Sequence, residues 1–271
     1  MLKHAVYEIF RAPSQGDLLM DAPSTSSWKE LKQFAAAQCG LNDLQAWDVS
    51  YVSEKLKQER YAISQEALRP WFPLEKVLSG LFEVAGRLFD VTFQQADGID
   101  LYHPDVRFYR VYKGDEHIAG FYLDLYARAN KRGGAWMDVC RSRRRTLAGG
   151  LQKPVAYLTC NFNGPVGDKP ALLTHNEVTT LFHEFGHGLH HMLTQVEEDA
   201  VSGIAGVAWD AVELPSQFME NWCWEKDAIP LMSGHYQTGE PLPDAMLEKM
   251  LAAKNFQSAM MMVRQLEFSI F

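Results

Sequence analysis

Residues 180–193 read TLFHEFGHGLHHML, with four histidines and one glutamate in fourteen residues. His183-Glu184-Phe185-Gly186-His187 is an HExxH pattern. On a helix, residues four apart stand one above the other, about 6 Å along the axis. Two imidazoles so placed can each direct a nitrogen at one metal ion. Glu184 then projects beside that ion and can take a proton from a water the ion acidifies, which is what metal-assisted amide hydrolysis requires. Val178, Leu181, Phe182, Phe185, Leu189, Met192 and Leu193 give the segment helical apolar spacing, so it is expected to be deeply packed. Thr174-His175-Asn176-Glu177 is a capping box that opens the helix. Gly186 and Gly188 each cost about 1 kcal/mol against alanine in a helix interior, so something is expected to come close to the backbone there.

The other histidines are read differently. His190 lies roughly 20° from His183 around the helix but about 10 Å along it, too far to share an ion. His187 paired with His190 or His191 has ligand spacing but no flanking carboxylate. Both are therefore read as supporting residues. A catalytic zinc wants three protein ligands and one open position. The downstream acids are Glu197, Glu198, Asp199, Asp210, Glu213 and Glu220. The first three, in VEEDA, read as solvated charges at the helix end. Glu213 heads a row with Gln217 and Glu220 at i, i+4, i+7 spacing. It is equally the capping-box acid for a helix started by Asp210, so spacing alone leaves it open.

Outward from this helix, the chain is expected to be α+β and mainly α-helical, with the HExxH helix packed near a small antiparallel sheet. Ser27 and Glu30 form a capping box for a helix running to Cys39, stopped by Gly40. A second helix covers about 47–60. A third begins near Pro73, with Val77, Leu81, Val84 and Leu88 at helical spacing. VRFYRVYKGDEHIAGFYLDLYAR alternates and breaks at Lys113-Gly114-Asp115, which predicts a hairpin with strands near 106–112 and 117–125. NKRGGAWMDVC and KPVAYLTCNF read as two more strands, placing the sheet at about 106–162. The arginine run Arg141–Arg145 contains Ser142 and joins them as a solvated loop. The active-site helices are expected at about 175–226, and a last helix from about Asp244 to the end.

Composition excludes several classes. The 271 residues are 47% hydrophobic and 22% charged, as in an ordinary globular protein. A net charge of −8 argues against nucleic acid as a partner. No apolar run reaches the roughly 18 residues of a membrane span. The start resembles no signal peptide, and the four cysteines include no CxxC pair. These features together predict a reduced, cytoplasmic setting.

Taken together, HEFGHGLHHML and SGIAGVAWDAVELPSQFMENWCWE resemble the oligopeptidase A and thimet oligopeptidase family of zinc metallopeptidases. The likeness extends through HPDVRFYRVY, FYLDLYARANKRGGAWMD and LQKPVAYLTCNFNGPVGDKPAL, and covers roughly residues 28–271. It implies one Zn2+ per chain on His183, His187 and Glu213, Glu184 as general base, and short peptides as substrates. It implies that the strand near GGAWMD pairs with the peptide backbone. It also implies a zincin-like catalytic region of a larger helical peptidase: residues 1–27 poorly defined, 28–271 a partial catalytic domain truncated at its C-terminus. The family's substrate-binding His and Tyr residues come from a later segment, whereas this chain has only His235 and Tyr236 after Glu213. The expectation is a metalloendopeptidase that is weak or inactive without the missing segments. The alternative is a non-catalytic zinc- and peptide-binding chain, or a non-functional truncated product.

Overall fold

The computed structural model describes residues 23–270, with side chains from residue 26 onward; the segment 1–22, expected to be poorly defined, lies outside the described residues. The first helix, α1 (Pro23–Cys39), starts a turn before Ser27, so the Ser27–Glu30 box falls inside the helix instead of capping it. Proline is well suited to a first helical position because its missing N–H would have no partner there. Gly40, at φ +69°, ends α1. Helix α2 (Val49–Tyr61) ends at a left-handed Ala62. Pro73, extended at φ −66°, is the N-cap of α3 (Leu74–Phe89), whose Val77, Leu78, Leu81 and Val84 are buried. The strands are β1 (Thr92–Gln95), β2 (Arg107–Lys113), β3 (Glu116–Tyr126), β4 (Trp136–Arg141), β5 (Arg144–Arg145), β6 (Leu151–Gln152) and β7 (Val155–Phe162). Helices α4 (His175–Met192), α5 (Leu214–Glu220), α6 (Asp244–Ala252) and α7 (Ser258–Ile270) follow.

The described chain forms two compact units, residues 65–243 and residues 23–64 with 244–270. In the second of these, Leu31, Ala35, Val52 and Leu56 form the core, and Trp28, Phe34, Phe256 and Met260 pack against it. The final helix expected from Asp244 is broken into α6 and α7. Gln257 takes a left-handed φ of +56° at the break. The bend turns Phe256 inward, edge-on to Tyr61 with ring centroids 5.8 Å apart.

In the unit 65–243 a five-stranded sheet has the order β1-β2-β3-β7-β4, and β5 pairs β6 separately. The expected sheet was wholly antiparallel and began at 106; both points need correction. β3 and β7 run parallel, from Gly120 opposite Val155 to Tyr126 opposite Phe162. The chain leaves β3, forms β4 and the β5–β6 hairpin, and returns in the direction it left. Parallel and antiparallel strands share the same two-residue side-chain period, so alternation cannot tell them apart. β1, TFQQ, is too short and polar to show a pattern. β4 is an edge strand, paired on one side to β7.

Helix α4 lies against this sheet. Phe185 is fully buried and meets Phe121 of β3 and Phe93 of β1 with centroids 5.5 Å away in each case. Such edge contacts add about 0.5–1.5 kcal/mol each to burial alone. A Cβ on Gly188 would stand 3.1 Å from Leu158 of β7, so the glycine lets helix and strand approach closely.

Where β3 and β7 end, Asp124 is buried and accepts from Arg128 at 2.6 Å and Lys131 at 2.9 Å. Burial by itself would raise its pKa. The hydrogen bonds and charges of Arg128 and Lys131 outweigh that and hold the carboxyl below its ordinary value. A carboxyl depressed in the folded chain stabilises it above the unfolded pKa of about 3.9, and that stability is lost as pH falls through the lower folded value. Asp124→Asn is therefore expected to be less stable at neutral pH and to have a flatter acid limb. Urea midpoints between about pH 5 and about pH 2 would test this. An unchanged slope would mean that other carboxylates carry the limb. No helix among the described residues is long and apolar enough to cross a membrane.

Candidate metal centre

The capping box of α4 is formed: Thr174 Oγ1 accepts from the Glu177 N–H at 3.1 Å, and Glu177 accepts from the Thr174 N–H at 2.7 Å. Beyond this anchored turn, His183 and His187 bring their rings to 4.9 Å between centroids. Glu213 immediately precedes α5 and is its N-cap residue without a side-chain capping bond. The expected Asp210–Glu213 capping box is thus absent, because residues 208–213 form turns and the helix starts only at Leu214. Pro215 sits in the first turn, where its missing N–H leaves nothing unpaired.

The Glu213 carboxylate is held by Ser216, whose hydroxyl donates to Oε2 at 2.8 Å. The same Oε2 lies 3.2 Å from His183 Nε2 and 3.2 Å from His187 Nε2. Among the described residues these three form the one such group, their ligand atoms all within 4.8 Å of one another. Donors placed about 2.1 Å from a zinc ion in tetrahedral geometry stand about 3.4 Å apart, so the spacing fits an ion of that size. Two imidazole nitrogens and one carboxylate oxygen also suit zinc chemically.

Gly186 explains how Glu213 gets there. A Cβ at this position would lie 2.5 Å from Pro215 O and 2.6 Å from Ser216 Cα. The start of α5 therefore rests directly on α4 at the turn between the two histidines.

One site residue is visible in the sequence only as another acid in the helical row. Glu220 accepts from His183 Nδ1 at 2.6 Å. A carboxylate only accepts, so Nδ1 carries a proton toward Glu220 and Nε2 is the nitrogen that faces Glu213. The available signal was the i, i+7 spacing from Glu213 along α5. Glu220→Ala is expected to weaken metal binding about 10–100-fold, measured by competition with a chromogenic chelator. Unchanged affinity would make the bond incidental.

Glu184 is 8% exposed. Its pKa is raised, chiefly by burial and further by Glu213, while His183 and the Met137 backbone N–H pull it back. Burial lowers the pKa of His187 against the opposing pull of Glu213, which favours the neutral, ligating ring. Glu184, His183 and Glu220 line an open cleft of about 560 Å³ together with Ala135, Thr180 and Trp224.

His190 and His191 stand outside the ligand group. His191 is buried with Nε2 2.9 Å from the Arg141 carbonyl, and Gly203 packs on its ring. His190 faces an apolar recess with Leu189, Pro215 and Phe218. The arginine run is not the free loop expected from its composition. Arg143 and Arg145 both pair with Glu197, and Arg144 lies 3.6 Å from Asp199. The hairpin β5–β6 folds onto the VEEDA segment, which brings together charges some 50 residues apart. His235 packs edge-on to Trp71 at 5.2 Å and lines no part of the cleft.

Residues 24–271 match the description of Peptidase family M3. Oligopeptidase A of Escherichia coli (strain K12) is 62% identical over 243 residues, covering 89% of this chain and 36% of that protein. Organellar oligopeptidase A of Arabidopsis thaliana is 46% identical over 266 residues, 93% of this chain and 34% of the relative. Saccharolysin of Saccharomyces cerevisiae is 34% identical over 233 residues, 83% and 33% respectively. The chain spans about a third of the length of these relatives. With the match running over nearly all of its residues, this chain belongs to peptidase family M3.

Proposed function

We propose that this chain carries the metal centre and general base of a zinc-dependent metallopeptidase acting on short peptides. The observation that carries the reading is the convergence of His183 Nε2, His187 Nε2 and Glu213 Oε2 beside the buried Glu184. A zinc ion held by those three residues would polarise a peptide carbonyl and lower the pKa of a nearby water. Glu184 takes a proton from the attacking water and delivers it to the leaving amine nitrogen. Glu220 keeps the His183 ring in the ligating tautomer. The open edge of β4 begins next to the cleft at Ala135, where an extended peptide can add as a further strand. The names of the relatives, oligopeptidase A among them, support peptides as the substrate class.

His235 and Tyr236, the histidine and tyrosine after Glu213, pack away from the cleft against Trp71 and each other. Losing one oxyanion donor costs an enzyme about 10²–10³ in rate, so slow turnover is proposed for this chain alone. The test is a quenched fluorescent peptide incubated with zinc-loaded and with chelated protein, alongside metal analysis. One zinc per chain and zinc-dependent cleavage are expected. Equal cleavage after chelation would sink the reading, and binding without any cleavage would point to a non-catalytic peptide binder.

A further inference from the structure

The turn leading into β4 is held by an unusual set of bonds. The Lys131 side chain is buried, and its ammonium stands 2.7 Å from Tyr126 O, 2.5 Å from Cys160 O, 3.1 Å from Asp124 O and 2.9 Å from Asp124 Oδ1. Those carbonyls lie where the register of β3 against β7 shifts between Asp124 and Tyr126. Asp124 balances the ammonium charge and is held in turn by Arg128 and by the Tyr102 hydroxyl. On the other side of the turn the Asn161 side-chain amide donates to Arg132 O at 2.8 Å and to Gly134 O at 2.7 Å. Gly134, at φ +91°, makes the last bend before the strand. The next residue, Ala135, lines the cleft together with Glu184, and the Met137 backbone is near enough to Glu184 to favour its ionised form. The ladder of β4 on β7 begins at Trp136 opposite Thr159, so these bonds hold the turn that leads into that ladder. What they add is the placement of the residues just before the ladder, Ala135 among them, where the edge of β4 opens beside the cleft.

We propose that Lys131 and Asn161 are positioning residues: they fix the 128–135 turn so that the start of the open β4 edge, at Ala135 and Trp136, stands at a set distance from Glu184. The peptide-binding part of this inference rests on the peptidase reading above. Lys131 fastens the inner side of the turn to the ends of β3 and β7, and Asn161 fastens its outer side to β7. Neither touches the metal ligands, so their role is to hold the substrate-binding strand and not the ion.

The experiment uses the whole zinc-loaded chain with Glu184→Gln to stop turnover. Asn161→Leu removes both donors at a partly exposed site. Asn161→Asp keeps the shape and also lacks the donors. Two readouts are taken: anisotropy with a fluorescein-labelled short apolar peptide, and amide hydrogen exchange over residues 133–141 against residues 175–192. Both variants are expected to weaken peptide binding about tenfold, as the loss of two neutral hydrogen bonds implies, and to speed exchange in 133–141 only. Zinc affinity is expected to stay within about twofold, which separates positioning from general loosening. Lys131→Met should show the same pattern if it folds; the Asn161 variants do not depend on that. Parental exchange in 133–141 in both Asn161 variants would overturn the proposal, as would parental behaviour of Asn161→Asp alone. Altered exchange with no peptide binding even by the Glu184→Gln parent would uphold the positioning role and remove the peptidase reading instead.

Discussion

Glu184→Gln is expected to lower the zinc-dependent cleavage of a short peptide by about 10²–10⁴, the span typical for loss of a general base. Metal content should be unchanged. Glutamine has the size of glutamate and keeps a side-chain oxygen that can face the Met137 backbone as the carboxylate does. It cannot take a proton from water. Glu184 is not one of the three convergent ligand residues, so their donors keep their spacing. The burial that raises the Glu184 pKa also makes the neutral amide easy to accommodate. Parallel measurement of cleavage and of zinc per chain decides the matter. Cleavage that persists undiminished would mean that a contaminant or another group does the chemistry. Loss of zinc along with cleavage would mean that Glu184 supports the site instead of acting as its base.

The readable part of this chain is its local part. HExxH, the Thr174 capping box and the apolar stripe of α4 all lie within one helix, where spacing fixes direction. The third member of the convergent group, Glu213, lies outside that helix. Spacing leaves Glu213 open between a cap and a ligand, and the family likeness, not the periodicity, selects it. What brings it to the histidines is the contact of Pro215 and Ser216 with Gly186, a packing fact that no one-dimensional pattern contains. Glu220 reaches His183 across 37 residues for the same reason. The pairing of the arginine run with Glu197 is likewise long-range, so composition alone reads both partners as solvated. The sheet was misread where alternation is mute: it cannot separate parallel β3–β7 from an antiparallel pair, nor announce a four-residue β1.

Gly186 and Gly188 give the sharpest test of how packing builds the site, because two identical substitutions should have opposite results. Both glycines are within α4, and alanine gains each about 1 kcal/mol of intrinsic helix stability. At Gly188 the added Cβ meets Leu158 Cδ2 at 3.1 Å, the far end of a side chain that can turn aside by a few tenths of an ångström. Gly188→Ala should therefore change stability by less than about 1 kcal/mol and keep the metal. At Gly186 the added Cβ falls 2.5 Å from Pro215 O and 2.6 Å from Ser216 Cα, which are backbone atoms. They can yield only if the start of α5 moves away by about 1 Å, and overpacking of this kind costs about 1–3 kcal/mol. Glu213 is the residue before that helix, so its carboxylate moves too and the 3.2 Å spacings to His183 and His187 open. Gly186→Ala should thus lower zinc affinity at least about 100-fold even where the chain remains folded, since a displaced ligand is close to a lost one. Circular dichroism melts and chelator competition on the two variants make the comparison. Equal zinc affinity in both would mean that α5 is free to adjust without carrying Glu213, and that the contact at Gly186 does not set the third ligand.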